Sequence, residues 1–263
     1  MPEIIVADHH DQVYSVWKDR DMKNLSVAHV DFHCDMRGIL IDRPKGHAFY
    51  TSHRESTFVD RGNFLAHAIM EGIVSRLRWI HCDQSGRGFD FGPVVNYETD
   101  LLADWYRLKH RLSKQPEVEF DYTEQRLEQW SGPLPGDQLD LDWDALASVE
   151  HPKEKREKLV SDFLSRDFQT IPELTFLIYS PGYSDPDRTL YNDFAKELAS
   201  KFKAEINELP KTKLVTDGER FSAVRGVVRS FVPQSVLDAK RNVSRWKNRM
   251  QAANDLKFYA EEA

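Results

Sequence analysis

Short apolar runs bounded by polar turns alternate along this chain with stretches whose apolar positions return every three or four residues. The runs Glu3–Ala7, Leu25–Phe32, Leu77–His81, Glu117–Tyr122, Asp137–Trp143 and Leu174–Ser180 read as strands, most of them buried on both faces. Helical spacing is found over Gln12–Lys18 (Val13, Val16, Trp17), Asn63–Leu77, Glu98–Leu112, His151–Phe168, Thr189–Ile206 and Val236–Glu262. Residues 37–61 show no clear periodicity and are rich in His, Arg, Gly and aromatics, so they read as a long loop. Gly132-Pro-Leu-Pro-Gly136 is the strongest punctuation, yet it leads straight into a strand and reads as a loop within one domain. Strands alternating with helices predict an α/β fold with a mainly parallel sheet. The expected organisation is a single catalytic domain over 1–263, with 234–263 as a C-terminal helical extension.

Composition narrows the function classes. Of 263 residues 40% are apolar and 30% charged, as in a folded globular protein, and the formal charge is −7. An acidic chain is a poor match for nucleic acid, whose phosphates call for a basic surface. No stretch approaches the ~18 consecutive apolar residues of a membrane span. The N-terminus has no basic region followed by an apolar one, so no signal peptide is expected. Cys34 and Cys82 are the only cysteines, too few for a disulfide scaffold, and a cytoplasmic location fits them best. Ser85-Gly-Arg-Gly88 reads as a turn, because it lacks the Lys-Ser/Thr ending of a phosphate loop.

The candidate chemistry lies at the predicted carboxyl ends of strands, where open α/β sheets place their ligands. In Asp31-Phe-His-Cys-Asp35, the residues Asp31, His33 and Asp35 stand at every second position after an apolar run. On a strand they would project to one face as three metal ligands of mixed type. Val6-Ala-Asp-His-His10 follows the first strand, and Leu139-Asp-Leu-Asp-Trp143 belongs to a later one. Together they offer His9 or His10, Asp31, His33, Asp35, Asp140 and Asp142. That set is too rich in carboxylate for one tetrahedral zinc, and it suits two divalent ions of the Mn²⁺ type bridged by carboxylate oxygens. Four carboxylates would balance the charge of two such ions.

These three segments, in this order, resemble the arginase, or ureohydrolase, superfamily. Its pattern is G-G-D-H-S, then D-A-H-x-D, then D-x-D-x-x-D-P. Here Val6-Ala-Asp-His-His10 stands for the first, Asp31-Phe-His-Cys-Asp35 for the second and Asp140-Leu-Asp-Trp-Asp-Ala145 for the third. Asp-His-His-Asp-Gln-Val-Tyr14, His29-Val-Asp-Phe-His-Cys-Asp35 and Gly62-Asn-Phe64 are similar to a divergent ureohydrolase-like family that includes peptide arginases of ribosomal peptide maturation. The Gly-Gly of the first motif and the closing Pro of the third are missing.

The resemblance implies a three-layer α-β-α fold of the arginase/deacetylase kind. It implies one metal on His9, Asp31, Asp35 and Asp140, and a second on His33, Asp31, Asp140 and Asp142. His9 is favoured because it directly follows Asp8, and His10 takes its place if the register is one residue off. Asp35 and His33 would also serve catalysis, Asp35 as the proton shuttle to the leaving amine. Asn63, Tyr183, Asp185, His47 and His53 are candidates for holding substrate. The implied reaction hydrolyses arginine side chains of a peptide to ornithine and urea. The chain reaches its first motif within a few residues, which favours a peptide-borne arginine over the free amino acid. A small guanidino compound, or amide deacetylation on the same fold, is the alternative. A homo-oligomer is compatible with the sequence.

Overall fold

A computed structural model of the chain describes residues 1–42, 46–50, 59–81, 94–95, 118–149 and 151–210. They all lie in one compact unit, Met1–Lys213. The expected helices over 98–112 and 236–262, the turn at 85–88, Cys82 and His53 fall outside the described residues.

Seven strands form the central sheet: β1 (Glu3–Ala7), β2 (Leu25–Val30), β5 (Val74–His81), β8 (Asp121–Arg126), β9 (Asp137–Asp142), β10 (Leu174–Ile178) and β11 (Glu205–Glu208). They run in the order β11-β1-β10-β9-β2-β5-β8, and every neighbouring pair is parallel. From β2 the chain moves outward to β5 and β8. It then returns to β9 and continues the other way through β10 to β11. The direction of winding therefore reverses between β2 and β9, where such sheets open a crevice at their carboxyl edge.

Successive strand residues face opposite layers. Ile5, Val27, Leu77 and Phe176 face one core, filled by Val13, Val16 and Trp17 of helix α1 (Asp11–Asp19) and by Phe64, Leu65, Ala68 and Ile69 of α2 (Phe64–Met70). Ile4, Ala28, Leu139, Leu141 and Leu177 face the other core. There they meet α3 (Asp144–Ala147), α4 (Lys153–Leu164) and α5 (Arg188–Phe202) through Leu146, Phe163, Phe194 and Leu198. The expected parallel α/β sheet between helical layers is what the chain forms.

Several boundaries move for local reasons. The stretch 37–61, expected to be a loop, contains β3 (Ile39–Asp42) and β4 (His47–Tyr50), an antiparallel pair in a second sheet of order β6-β3-β4-β7. Here β6 is Val94–Val95 and β7 is Val118–Glu119. Ile39, Ile41 and Ala48 bury one face of this pair, and Gly46 turns with φ +64°. Strands this short leave too few alternations to read. The expected strand at 117–122 is two: Phe120 carries the chain from β7 in the small sheet to β8 in the large one. Helix α2 stops at Met70 because Gly72, at φ +68°, turns the chain into β5. Helix α5 stops at Phe202, where Lys203 adopts a left-handed conformation and frees Ile206 for β11.

Gly132 is held at φ +127°, and a Cβ there would lie 2.8 Å from Phe168 Cδ1. Phe168 packs in turn on Trp130, Phe163 and Phe202 and has no room to withdraw. Gly132→Ala is expected to destabilise the fold by about 1–3 kcal/mol. A urea titration would show it as a lower midpoint with an unchanged slope.

Candidate metal centre

Because the strands are parallel, the segments following β1, β2, β9 and β10 leave the same edge of the sheet. His29 and Asp31 share the parity of Val27, while Asp140 and Asp142 oppose Leu139 and Leu141. All four therefore turn to the α1/α2 face. His10 comes down from the N-terminus of α1, and Phe64, the first residue of α2, stacks on its ring at 5.1 Å between centroids.

The ring that lies among the carboxylates is that of His10. Its Nδ1 is 2.9 Å from Asp35 Oδ2, 3.2 Å from Asp142 Oδ2 and 3.3 Å from Asp31 Oδ2. Its Nε2 is 3.4 Å from Asp140 Oδ1. This is the one-residue shift from His9 that the doubled histidine left open. His29 Nδ1 is 2.8 Å from Asp140 Oδ2, and its Nε2 is 3.3 Å from Asp31 Oδ2. His33 Nδ1 is 3.1 Å from Asp144 Oδ2 and 3.7 Å from Asp31 Oδ1. Backbone and hydroxyl donors fix the acids as well: His33 N–H donates to Asp31 Oδ1 (2.6 Å), Asp144 N–H to Asp142 Oδ1 (3.0 Å), and the Ser180 side-chain Oγ–H to Asp142 Oδ2 (2.6 Å). Asp35 and Ser180, on two of these segments, both have left-handed backbones, at φ 47° and 50°. Non-glycine residues hold such conformations where the surroundings over-determine them, often at functional sites.

Asp31, Asp35, Asp140, Asp142 and Asp144 are all buried, Asp31 and Asp140 completely. Their ionisation shows the strain of like charges out of water. Burial, then the charges of Asp142, Asp144 and Asp35, push Asp31 well above the usual carboxylate range. Burial and Asp144 push Asp142 up to about 7. Burial would raise Asp140 too, but His10 and His29 outweigh it and hold this carboxyl low. Burial opposes a charge on His10, yet Asp140 and Asp142 raise its pKa well above the ordinary value. His33 is raised to about 12 against burial, through hydrogen bonds to Asp144 and Asp31.

His10 Nε2, His29 Nε2, Asp31 Oδ2 and Asp140 Oδ1 are buried atoms without a hydrogen-bond partner, although some face one another at 3.3–3.4 Å. An unsatisfied buried polar atom costs about 1–3 kcal/mol. A convergent set of donors, each able to give a lone pair, fits a divalent cation. Among the described residues, two groups have ligand atoms within 4.8 Å of one another: His10, His29 and Asp31, and Asp31, His33 and Asp144. Asp31 belongs to both, so the residues present fit a pair of ions bridged by one carboxylate.

Of the other candidates, Tyr183 is exposed and its ring stands edge-on to His33 at 5.3 Å. Asp185 pairs with Arg156 at 2.9 Å. Asn63 is buried just before α2, its Oδ1 accepting the Asp60 N–H. His47 lies in β4 of the small sheet. Sequence reasoning missed His29 and Asp144. Both were within reach, since His29-x-Asp31-x-His33-x-Asp35 and Asp140-x-Asp142-x-Asp144 extend the same alternation by one step each.

No family profile matches the sequence, and no curated protein matches it. Among solved structures it is similar to a hypothetical agmatinase from Burkholderia thailandensis, at 13% identity and a TM-score of 0.37, over 77% of this chain and 58% of that one. It is similar also to proclavaminate amidino hydrolase from Streptomyces clavuligerus, at 14% identity and a TM-score of 0.37, over 76% of this chain and 64% of that one. The chain thus spans about three-fifths of the length of these proteins. At such distances neither match bears on what the site does.

The protonation pattern makes stability depend on pH in a definite direction. Asp142 titrates near 7 in the folded chain, against an ordinary value of 3.8, and Asp31 is raised as well. Between those values the folded state binds more protons than the unfolded state, so stability falls as pH rises. His10 adds the same sign higher up: its contribution is complete below an ordinary value of 6.5 and is lost as pH passes its raised folded value. A divalent ion favours the ionised carboxylates and opposes this trend. Thermal unfolding of the chelator-treated protein should show the midpoint falling from about pH 4 to about pH 7. Saturating Mn²⁺ should abolish or invert that fall.

Proposed function

We propose that this chain is a binuclear divalent-metal hydrolase that cleaves the guanidinium of arginine side chains in a peptide, leaving ornithine and releasing urea. The observation that carries this reading is the pair of donor groups sharing Asp31, buried except for the half-exposed His33, beside which Tyr183 stands. The resemblance of the three motifs to the ureohydrolases supports the choice of a guanidinium as the group attacked. So does the surplus of carboxylate, which favours a cationic substrate.

The ions would supply Lewis acidity and a water acidic enough to act as nucleophile near neutral pH. The chain's part is positioning and proton transfer. Asp31 and Asp140 sit on or at the end of hydrogen-bonded strands, so they hold their geometry without reorganising. Hydrolysis requires a proton to pass from the attacking water to the departing amine. Asp35 Oδ2, 2.9 Å from His10 Nδ1, takes that role. His33 pairs with Asp144 and, with Asp31, makes up the second donor group. Tyr183 offers an aromatic face to a guanidinium entering beside His33. The exposed rim suits a side chain presented on a peptide.

The test is mass spectrometry of arginine-containing peptides incubated with the Mn²⁺-loaded protein. Arginine should lose one CH₂N₂ unit and become ornithine, with urea in the supernatant. Asp31→Asn should abolish the conversion and lower the bound metal from about two ions per chain. Urea from free arginine or agmatine, with peptides untouched, would move the substrate to a small guanidino compound. Hydrolysis of acylated amines alone would point to a deacetylase.

A further inference from the structure

His29 is a residue the motif resemblance does not assign. It sits inside β2, fully buried, one alternation before Asp31, and pairs across the sheet with Asp140. Its two ring nitrogens are in different situations. Nδ1 is 2.8 Å from Asp140 Oδ2. A carboxylate oxygen accepts at this distance, so the ring donates to it through Nδ1. Nε2 is left with its lone pair and no hydrogen-bond partner. It faces Asp31 Oδ2 at 3.3 Å, an oxygen that also lacks a hydrogen bond. The third member is a ring nitrogen of His10, and the three donor atoms lie within 4.8 Å of one another. Three buried donor residues therefore converge on one point. A histidine kept only to fill the core beside Phe64 would gain nothing from directing Nε2 there.

We infer that His29 is a direct metal ligand through Nε2, completing with His10 and Asp31 a site of two imidazoles and one carboxylate. Asp140 orients the ring through Nδ1, as a carboxylate does for a metal-bound histidine. The inference rests on the metal centre proposed above and adds a nitrogen donor to it. It has a consequence for the ion: imidazole suits Zn²⁺, Co²⁺ and Fe²⁺, whereas oxygen-rich sets suit Mn²⁺. The His10/His29/Asp31 position should therefore prefer a more nitrogen-seeking ion than the Mn²⁺ expected of the carboxylates alone.

The first experiment is a Zn²⁺ titration of the wild-type protein followed by imidazole ¹⁵N NMR, the His10 and His29 rings being assigned by through-bond correlation to their own backbone amides. The His29 Nε2 resonance should leave the range of an unprotonated nitrogen as Zn²⁺ binds, while Nδ1 stays protonated. A shift of His10 with His29 Nε2 unmoved would overturn the assignment of His29 and leave the metal centre standing. Absence of bound Zn²⁺ and of a shift at either ring would overturn both. His29→Gln, checked for folding by circular dichroism, should weaken Zn²⁺ binding at least about tenfold and Mn²⁺ binding less. Unchanged Zn²⁺ affinity in that variant would also overturn the assignment. The wild-type titration decides the matter even where the variant does not fold.

Discussion

Five aspartates at the end of an apolar sheet repel one another with little water to screen them, and this repulsion shapes the whole carboxyl edge. His10, His29 and His33 answer part of it, and the backbone N–H groups of His33 and Asp144 answer a little more. What remains appears as carboxyls driven towards protonation beside a carboxyl held ionised. A fold built for stability alone would place leucines at Asp140 and Asp142, as it does at the adjacent Leu139 and Leu141 on the opposite face. The polar inner face of β9 is therefore a concession in stability.

The surrounding architecture keeps that concession local. Trp17 caps the lower part of the same face by donating its indole N–H to Gln138, and Phe64 closes the side towards α2. On the opposite side of the sheet, the aromatic stack of Trp143, Tyr191 and Phe194 sits beneath the loop carrying Ser180 and Tyr183. Arg156 anchors this loop through Asp185, and Arg188 stacks on Tyr179 while pairing with Asp8. The two candidate residues of that loop thus differ in kind: Asp185 is engaged in holding the loop in place, whereas Tyr183 is left facing outward beside His33.

Much of this was legible in the sequence because period and position carried the same message. Buried runs such as Leu174–Ile178 gave away the parallel strands, and acidic residues at their ends gave away the edge where function gathers. Three features escaped for physical reasons. The hairpin of Ile39–Asp42 with His47–Tyr50 is too short for its alternation to stand out. The choice between His9 and His10 depends on where β1 ends and α1 begins, which adjacent histidines cannot reveal. His29 carries no role in the sequence reading because it lies inside the apolar run, ahead of the three alternating residues Asp31, His33 and Asp35. Only its across-strand partner Asp140, brought alongside by the register of β2 and β9, reveals its different use.

The parallel sheet also sets the order in which this chain can acquire its function. The polar side chains contributed after β1 and β2 must wait for β9, which lies more than a hundred residues further on, before they meet their counterparts. Parallel pairing over such separations is slow, since the entropy of closing the intervening loop is spent before any contact repays it. During synthesis the first half of the chain thus holds an incomplete charge cluster at an unpaired flank of β2. Arrival of β9 supplies at once the missing hydrogen-bonded neighbour and the remaining acids, so assembly of the sheet and assembly of the centre are a single kinetic event.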